Sequence, residues 1–369
     1  MSAPGAAPLT VVSVAYALAP VRPETAGGAE QVLAALDRAL VAAGHRSVVV
    51  AMEGSCAAGT LVPVPAPAGA LDERARAEQH RRVRRALGDA LGRLAAAGTP
   101  ADLVHLHGID FADVLPPAGV PALATLHLPP AWYPPEVWAL GGTPGGPGGA
   151  RPGTYLHCVS RAQERRCPPG ARLLPAIPNG VPVPAAPPAV RRRGTPNGYA
   201  LCLGRVCPEK GYHLAADAAG RSGVPLLVAG QLFAYEAHER YWREELRPRL
   251  GRGRARFVGA VSGAAKRRLI ARARCVVIPS LAEETSSLVA MEAAAAGTPV
   301  VAFRRGALPE VVAHGCTGWL CDDEAGLAEG IRRAPEISRL ACWAEARDRF
   351  DERAMAARYL ACYQAIADR

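Results

Sequence analysis

The sequence predicts an α/β protein made of two doubly wound parallel sheets in series. Short apolar, β-branched runs alternate with segments of helical periodicity, the pattern of parallel βαβ units. The alternation is interrupted by a Pro- and Arg-rich stretch at residues 181–198, which ends in Pro-Asn-Gly. The length also points this way: 369 residues, 50% of them hydrophobic, suit two cores of roughly 150–200 residues each.

The elements follow in order. Residues 9–16 form the first expected strand, and a loop then runs to Gly27-Gly28. The next helix places Val32, Leu36, Leu40 and Ala43 on one face and stops at Gly44. Further strands are expected at 47–52, 103–107, 122–127, 155–159 and 173–177. A basic run at 81–85 falls on a helix whose apolar face is Val83, Leu87, Leu91 and Leu94. Residues 141–153, almost all Gly and Pro, predict a loop, either a substrate lid or a dispensable insertion. The second series has strands near 200–203, 226–229, 256–258, 275–278, 300–303 and 318–320, with helices near 235–250, 264–273 and 288–296. The tail from residue 336 predicts helix, amphipathic after Asp351. The expected division is a first domain at 1–182, a linker at 183–198, a second domain at 199–348 and a final helix at 349–369 that crosses back to the first domain.

Bulk properties bound the function. No apolar run reaches the roughly 18 residues of a membrane span, and no secretory signal is visible, so the expectation is a cytoplasmic protein. The net charge of +10 comes from an Arg-dominated chain in which Lys210 and Lys266 are the only lysines. A basic surface attracts phosphorylated partners, anionic lipid or nucleic acid, but a solvated face is its ordinary meaning. The basic helix is compatible with peripheral membrane contact, and no aromatic-plus-basic module argues for nucleic acid. Ten scattered cysteines lack His partners at metal-ligand spacing, so buried free thiols and no metal site are expected.

Ligands of doubly wound sheets bind beyond the carboxyl ends of the strands, and two such units predict a shared cleft there. The turn Gly204-Arg205-Val206-Cys207-Pro208-Glu209-Lys210-Gly211 directly follows a strand. Its glycines permit close backbone approach, and Arg205 and Lys210 bring two cations to the strand end, as a departing diphosphate requires. A basic turn without a ligand is the plain structural alternative. In Pro279-Ser280-Leu281-Ala282-Glu283-Glu284-Thr285-Ser286-Ser287-Leu288-Val289-Ala290-Met291-Glu292, an apolar strand gives way to an Ala-rich helix. The free amides at the start of that helix suit an anion. Glu283 and Glu284 could be an acidic helix entry favoured by the dipole. Glu292, on an otherwise apolar helix, is costly unless paired or facing a polar ligand.

Taken together, these segments resemble glycosyltransferase family 4, a retaining family of GT-B architecture. The resemblance spans nearly the whole chain. It rests on Glu284 and Glu292 with seven residues between them, Gly297-Thr298-Pro299-Val300-Val301-Ala302, Gly306-Ala307-Leu308-Pro309-Glu310-Val311-Val312 and Gly315-Cys316-Thr317-Gly318-Trp319-Leu320. The Gly204–Gly211 turn, Pro178-Asn179-Gly180-Val181 and Gly27-Gly28-Ala29-Glu30 match as well. Two departures stand out. Ser286 and Ser287 occupy positions where the family usually has an aromatic residue and a glycine, and Pro182 replaces an acidic residue.

The resemblance implies a role for each matching position. Glu284 would hold hydroxyls of the transferred sugar and Glu292 the nucleotide ribose. Arg205 and Lys210 would grip the diphosphate, the amides near Ser287 and Leu288 would contact sugar or phosphate, and Val261 would lie near the base. Gly28 would let its loop close over the phosphates, and His127 matches the active-site histidine. His107, Trp132 and Tyr133 are acceptor-side candidates. The implied reaction is metal-independent retaining transfer of a hexose from a UDP-sugar, or next a GDP-sugar, to a small-molecule or saccharide acceptor, with no cofactor. A nucleotide-sugar epimerase of the same architecture, and a non-enzymatic basic nucleotide- or nucleic-acid-binding protein, are the alternatives.

Overall fold

The computed structural model describes the chain except for residues 1–6, 23–26, 68, 70, 143–148, 188–197, 252–254 and 369. Most of the expected linker and the centre of the Gly/Pro loop therefore lie outside the described residues. The chain divides into two compact units: Met1–Pro178 with Arg353–Arg369, and Asn179–Glu352.

Unit 1 is built on a six-stranded sheet of β1 (Thr10–Val14), β2 (Arg46–Met52), β3 (Thr60–Val64), β4 (Leu103–Leu106), β5 (Ala122–Leu126) and β6 (Thr154–Cys158). The strand order is β3-β2-β1-β4-β5-β6, and every pairing is parallel. Strands buried on both faces explain the near-continuous apolar runs, such as the wholly buried Thr10–Val14. Helix Gly28–Ala42 buries Val32, Leu36 and Leu40, as the periodicity predicts, and Leu33 as well, whereas Ala43, expected on the same face, is exposed just past the helix end. Helix Glu73–Ala96 is capped by Asp72, whose carboxylate accepts from Ala75 N at 2.7 Å.

One strand lies outside the sequence expectations, and one expected strand is absent. β3 is a strand despite Pro63, because it is the sheet edge, where a missing N–H costs no ladder bond. Residues 173–177 are not a strand; only Leu174 makes a bridge, to His157. Ala176 N, the next amide a parallel ladder would use, donates instead to the Glu164 carboxylate at 2.7 Å, and Ile177 N donates to Cys158 O at 3.0 Å, so the register slips after one bridge.

Helix Glu352–Ala367 joins unit 1 through a polar seam inside an apolar core. Tyr363 Oη meets His105 Nδ1 at 2.7 Å, and Thr125 Oγ1 lies 2.7 Å from both His105 Nε2 and His157 Nε2 and 3.3 Å from Tyr359 Oη. The tail is thus two helices, Arg339–Arg349 and this one. The break between them has a clear cause. Val181 N donates to Phe350 O at 2.8 Å and Glu352 N donates to Val181 O at 3.0 Å, so these groups serve a strand-like bridge.

Unit 2 repeats the plan with β7 (Ala200–Arg205), β8 (Leu226–Gln231), β9 (Ala255–Gly259), β10 (Cys275–Ile278), β11 (Val300–Phe303) and β12 (Gly318–Cys321). Its order is β12-β11-β10-β7-β8-β9, again all parallel. Both sheets therefore change winding direction at their first strand, between β1 and β4 and between β7 and β10. The helix expected at 235–250 is shorter and irregular: α-helical at Glu236–Tyr241, a π turn at Trp242–Leu246, then a 3-10 turn at Arg247–Arg249 containing Pro248. All ten cysteines are free; Cys202 and Cys275 are buried as expected, while Cys56 and Cys316 are exposed. Among the described residues no helix is long and apolar enough to cross a membrane.

Candidate functional site

The switch point of an open parallel sheet leaves a crevice where the chains leaving two adjacent strands part in opposite directions. In unit 2 those chains are the turn after β7, with Arg205 and Lys210, and the loop after β10, with Ser280 and Glu284. Topology therefore delivers the two segments singled out by sequence to one place. Leu281 N donates to Glu209 O at 2.8 Å, stitching the loops together. Gly211 makes this possible. Its φ is +62°, and a Cβ there would stand 2.3 Å from Pro279 O. Gly306 does the same on the other side, with φ +55° and room for a Cβ only 2.2 Å from Glu284 O, while Ala307 N donates to that oxygen at 2.7 Å.

The chain's two lysines pair with the two motif glutamates. Lys210 Nζ lies 2.6 Å from Glu284 Oε1, and Lys266 Nζ lies 2.6 Å from Glu292 Oε1. Ser280 Oγ also donates to Glu284 Oε1. Burial pulls the Glu284 carboxyl upward, but Lys210, the Ser280 hydroxyl and the nearby Arg205 charge outweigh it and hold the group below its ordinary range. At Glu292 the balance reverses: burial prevails over Lys266, and the carboxyl is held above the ordinary range. Glu292 Oε2 and Ser286 Oγ are buried without a hydrogen-bond partner among the described residues. Buried polar atoms of this kind are expected to meet a ligand or water.

Ser287 caps helix Leu288–Ala295 with φ 69° and ψ 73°, the one non-glycine with positive φ among the described residues. Its side chain makes no capping hydrogen bond. Strain held at a helix start beside two motif carboxylates is the kind that accumulates at functional sites. Val261 and Leu288 are half-buried against the unit 2 core. Val261 lies just before helix Gly263–Arg272, which carries Lys266.

In unit 1, His107 and His127 directly follow β4 and β5. Their rings stack at 5.4 Å, with His107 Nδ1 3.2 Å from His127 Nε2, and His107 Nε2 is buried without a hydrogen-bond partner among the described residues. Burial, with the neighbouring His157, pushes the His127 imidazole down to about 3, so the ring is neutral at physiological pH. Gly28 is the first residue of helix Gly28–Ala42. Trp132 is 46% exposed, whereas Tyr133 is buried and its hydroxyl accepts from Leu128 N at 3.2 Å. The structure thus brings Arg205, Lys210 and Glu284 together, sets Ser287 and Leu288 at the start of the helix that follows, pairs Glu292 with Lys266, and places Gly28, His107, His127, Trp132 and Tyr133 in unit 1.

Sequence reasoning passed over Lys266. The available signal was lysine scarcity, which singled out Lys210 and applied equally to its counterpart. It also found no metal-ligand spacing around Cys207, yet folding brings Cys207, Glu209 and His238 together.

Comparison with known proteins agrees with this geometry. Residues 197–336 match the family model described as Glycosyl transferases group 1. A glycogen synthase of Mycobacterium tuberculosis is 37% identical over 172 residues, which cover 44% of this chain and 40% of that protein. The match therefore spans less than half the length of this curated relative. Among solved structures, a glycosyltransferase involved in avilamycin A biosynthesis superposes with a TM-score of 0.67 at 23% identity, covering 98% of both chains. Anabaena HepE in complex with UDP and glucose gives 0.68 at 17% identity, covering 96% of this chain and 99% of that one. The fold is that of the GT-B glycosyltransferases.

Proposed function

We propose, for a chain whose residues 197–336 match the group 1 glycosyl transferase model, that the protein is a retaining hexosyltransferase using a nucleotide diphosphate sugar. The observation that carries this reading is the Lys210–Glu284 pair at the β7/β10 switch point, with Arg205 beside it. Lys210 and Arg205 neutralise the leaving diphosphate, while the Glu284 carboxylate, held ionised, accepts hydroxyls of the sugar. Lys210 thereby couples recognition of the sugar to stabilisation of the charge that develops when its bond to phosphate breaks. Glu292 Oε2, buried without a hydrogen-bond partner among the described residues, suits a ribose hydroxyl, and the amides of Ser287 and Leu288 suit phosphate or sugar oxygens. Val261 packs near the base.

Two side-chain cations and a helix start do here what a divalent ion does in metal-dependent transferases, so no metal is required for transfer. Attack comes from the face that the diphosphate leaves, which preserves the anomeric configuration, and the departing phosphate takes the acceptor proton. In unit 1, neutral His127 donates or accepts a hydrogen bond to substrate oxygens, in place of acid–base chemistry near pH 7. His107 and the exposed Trp132 ring, with Tyr133 supporting the loop, are the acceptor-side groups. A UDP-sugar is the first donor choice and a GDP-sugar the second; the UDP and glucose bound by Anabaena HepE support that order. The acceptor class remains a small molecule or saccharide.

A nucleotide-sugar panel read by thermal shift tests the donor site, with Glu292→Ala as control. One nucleotide should stabilise the wild type and lose most of that effect in the variant. Identical responses of both proteins to every nucleotide sugar would refute the ribose assignment. Donor turnover in EDTA tests metal independence, and the anomeric proton coupling of the product tests retention.

A further inference from the structure

We propose that Cys207, Glu209 and His238 form a binding site for a soft divalent cation of the zinc class. One donor atom from each residue, a thiol sulfur, a carboxylate oxygen and an imidazole nitrogen, lies within 4.8 Å of the other two. Sulfur with imidazole nitrogen selects zinc-like ions over magnesium or calcium, which prefer all-oxygen shells.

The residues come from two neighbouring strand ends. Cys207 and Glu209 lie in the turn after β7; His238 lies on helix Glu236–Tyr241 after β8. The β7–β8 ladder runs to Arg205 opposite Gln231, and Val206 N then donates to Gln231 O at 2.9 Å, so the two exits are fixed side by side. Cys207 is buried, and His238 is only 9% exposed. The Nδ1 atom of His238 is buried and has no hydrogen-bond partner among the described residues. A buried imidazole nitrogen left without a partner is an unmet demand that a cation satisfies. Glu209 is the exposed member of the group, but its main chain is anchored by Leu281 N.

Tetrahedral zinc holds sulfur and nitrogen ligands at about 2.0–2.3 Å, which sets ligand atoms roughly 3.5 Å apart. Rotation of the Glu209 side chain and a contraction on the order of one ångström therefore complete the shell. Binding breaks the Cys207 S–H bond, forms a sulfur–metal bond and releases the proton to solvent. Three protein ligands leave a fourth position for water. The bound ion would tie the turn carrying Arg205 and Lys210 to helix Glu236–Tyr241, making it a stabiliser of the donor loop without a part in the transfer step.

The test uses metal-stripped full-length protein in which the exposed Cys56 and Cys316 are replaced by serine. Titration with Co2+ should reach saturation at about one ion per chain, with a near-ultraviolet thiolate-to-cobalt absorption band displaced by Zn2+. Cys207→Ser should abolish the band. His238→Gln should weaken Co2+ binding about tenfold or more. Circular dichroism of each metal-free variant controls for folding, and should Cys207→Ser not fold, Glu209→Gln and His238→Gln carry the test through affinity. A silent titration, a band that survives Cys207→Ser, or unchanged affinity in the folded Glu209 and His238 variants would overturn the assignment. None of these readouts involves glycosyl transfer, so this site and the proposed reaction fail separately.

Discussion

Lys210–Glu284 and Lys266–Glu292 share a contact of 2.6 Å, the same residue types and the same unit, yet their carboxyls are pushed in opposite directions. The difference lies in what surrounds each pair. Glu284 has three helpers: Lys210, a hydroxyl from Ser280 and the Arg205 charge. Glu292 has one, and its second oxygen is buried without a hydrogen-bond partner among the described residues. A single ion pair in a buried setting fails to repay the cost of removing a carboxylate from water, whereas a network can. The first pair is thus a preorganised charge cluster. The second is an incomplete one, suited to finish its coordination on a ligand.

The largest expected effect comes from breaking the complete cluster. Lys210→Met removes a charge-neutralising cation and leaves Glu284 buried with less support, so kcat for donor turnover should fall by about a hundredfold or more. Lys266→Met should act on binding: donor affinity falls about tenfold while kcat at saturating donor stays close to wild type. Steady-state kinetics with the donor found by the panel measures both. If the two variants lose kcat equally, the division into a reacting pair and a binding pair is wrong.

Folding stability should separate the pairs without any substrate. Glu284 titrates below its unfolded value of 4.5, so its ionised form contributes stability that is present above pH 4.5 and lost as pH falls through the lower folded pKa. Glu292 titrates above 4.5 in the folded state, so stability declines as pH rises from 4.5 through that raised value. Relative to wild type, Glu284→Gln should therefore become less stable as pH rises across this region, and Glu292→Gln more stable. Denaturant midpoints measured from acidic to neutral pH would show curves of opposite slope. Parallel curves would mean the two environments do not differ as described.

How much of this was legible in the sequence follows from the range of each signal. The alternation of apolar strands with periodic helices is local and marked both sheets except β3, and the Gly204–Gly211 turn and the spacing from Glu284 to Glu292 pointed to the candidate site. Partnerships were not local. Lys266 belongs to Glu292 because helix Gly263–Arg272 packs beside helix Leu288–Ala295, and His238 reaches Cys207 because β7 pairs with β8. Local composition also misled where tertiary contacts decide: the apolar run at residues 173–177 stops at one bridge because Ala176 N is taken by the Glu164 carboxylate. The Ser286-Ser287 departure was visible in the sequence, but its physical content, a left-handed backbone at the helix start, was not.

That backbone supplies the smallest expected effect. A non-glycine residue in the left-handed region costs roughly 1–2 kcal/mol, and glycine removes this at an expense of about 0.5–1 kcal/mol in unfolded-chain entropy. Ser287 offers no capping hydrogen bond in return, so Ser287→Gly should raise stability by up to about 1 kcal/mol, a few degrees in Tm. Ser287→Ala keeps the strain and should show no gain. Because the same peptide aims the amides of the helix start, the glycine variant also asks whether the strain serves binding. Stability gained with donor affinity intact makes it a tolerated residue; stability gained with affinity lost makes the strained geometry part of the incomplete, ligand-finished half of the site.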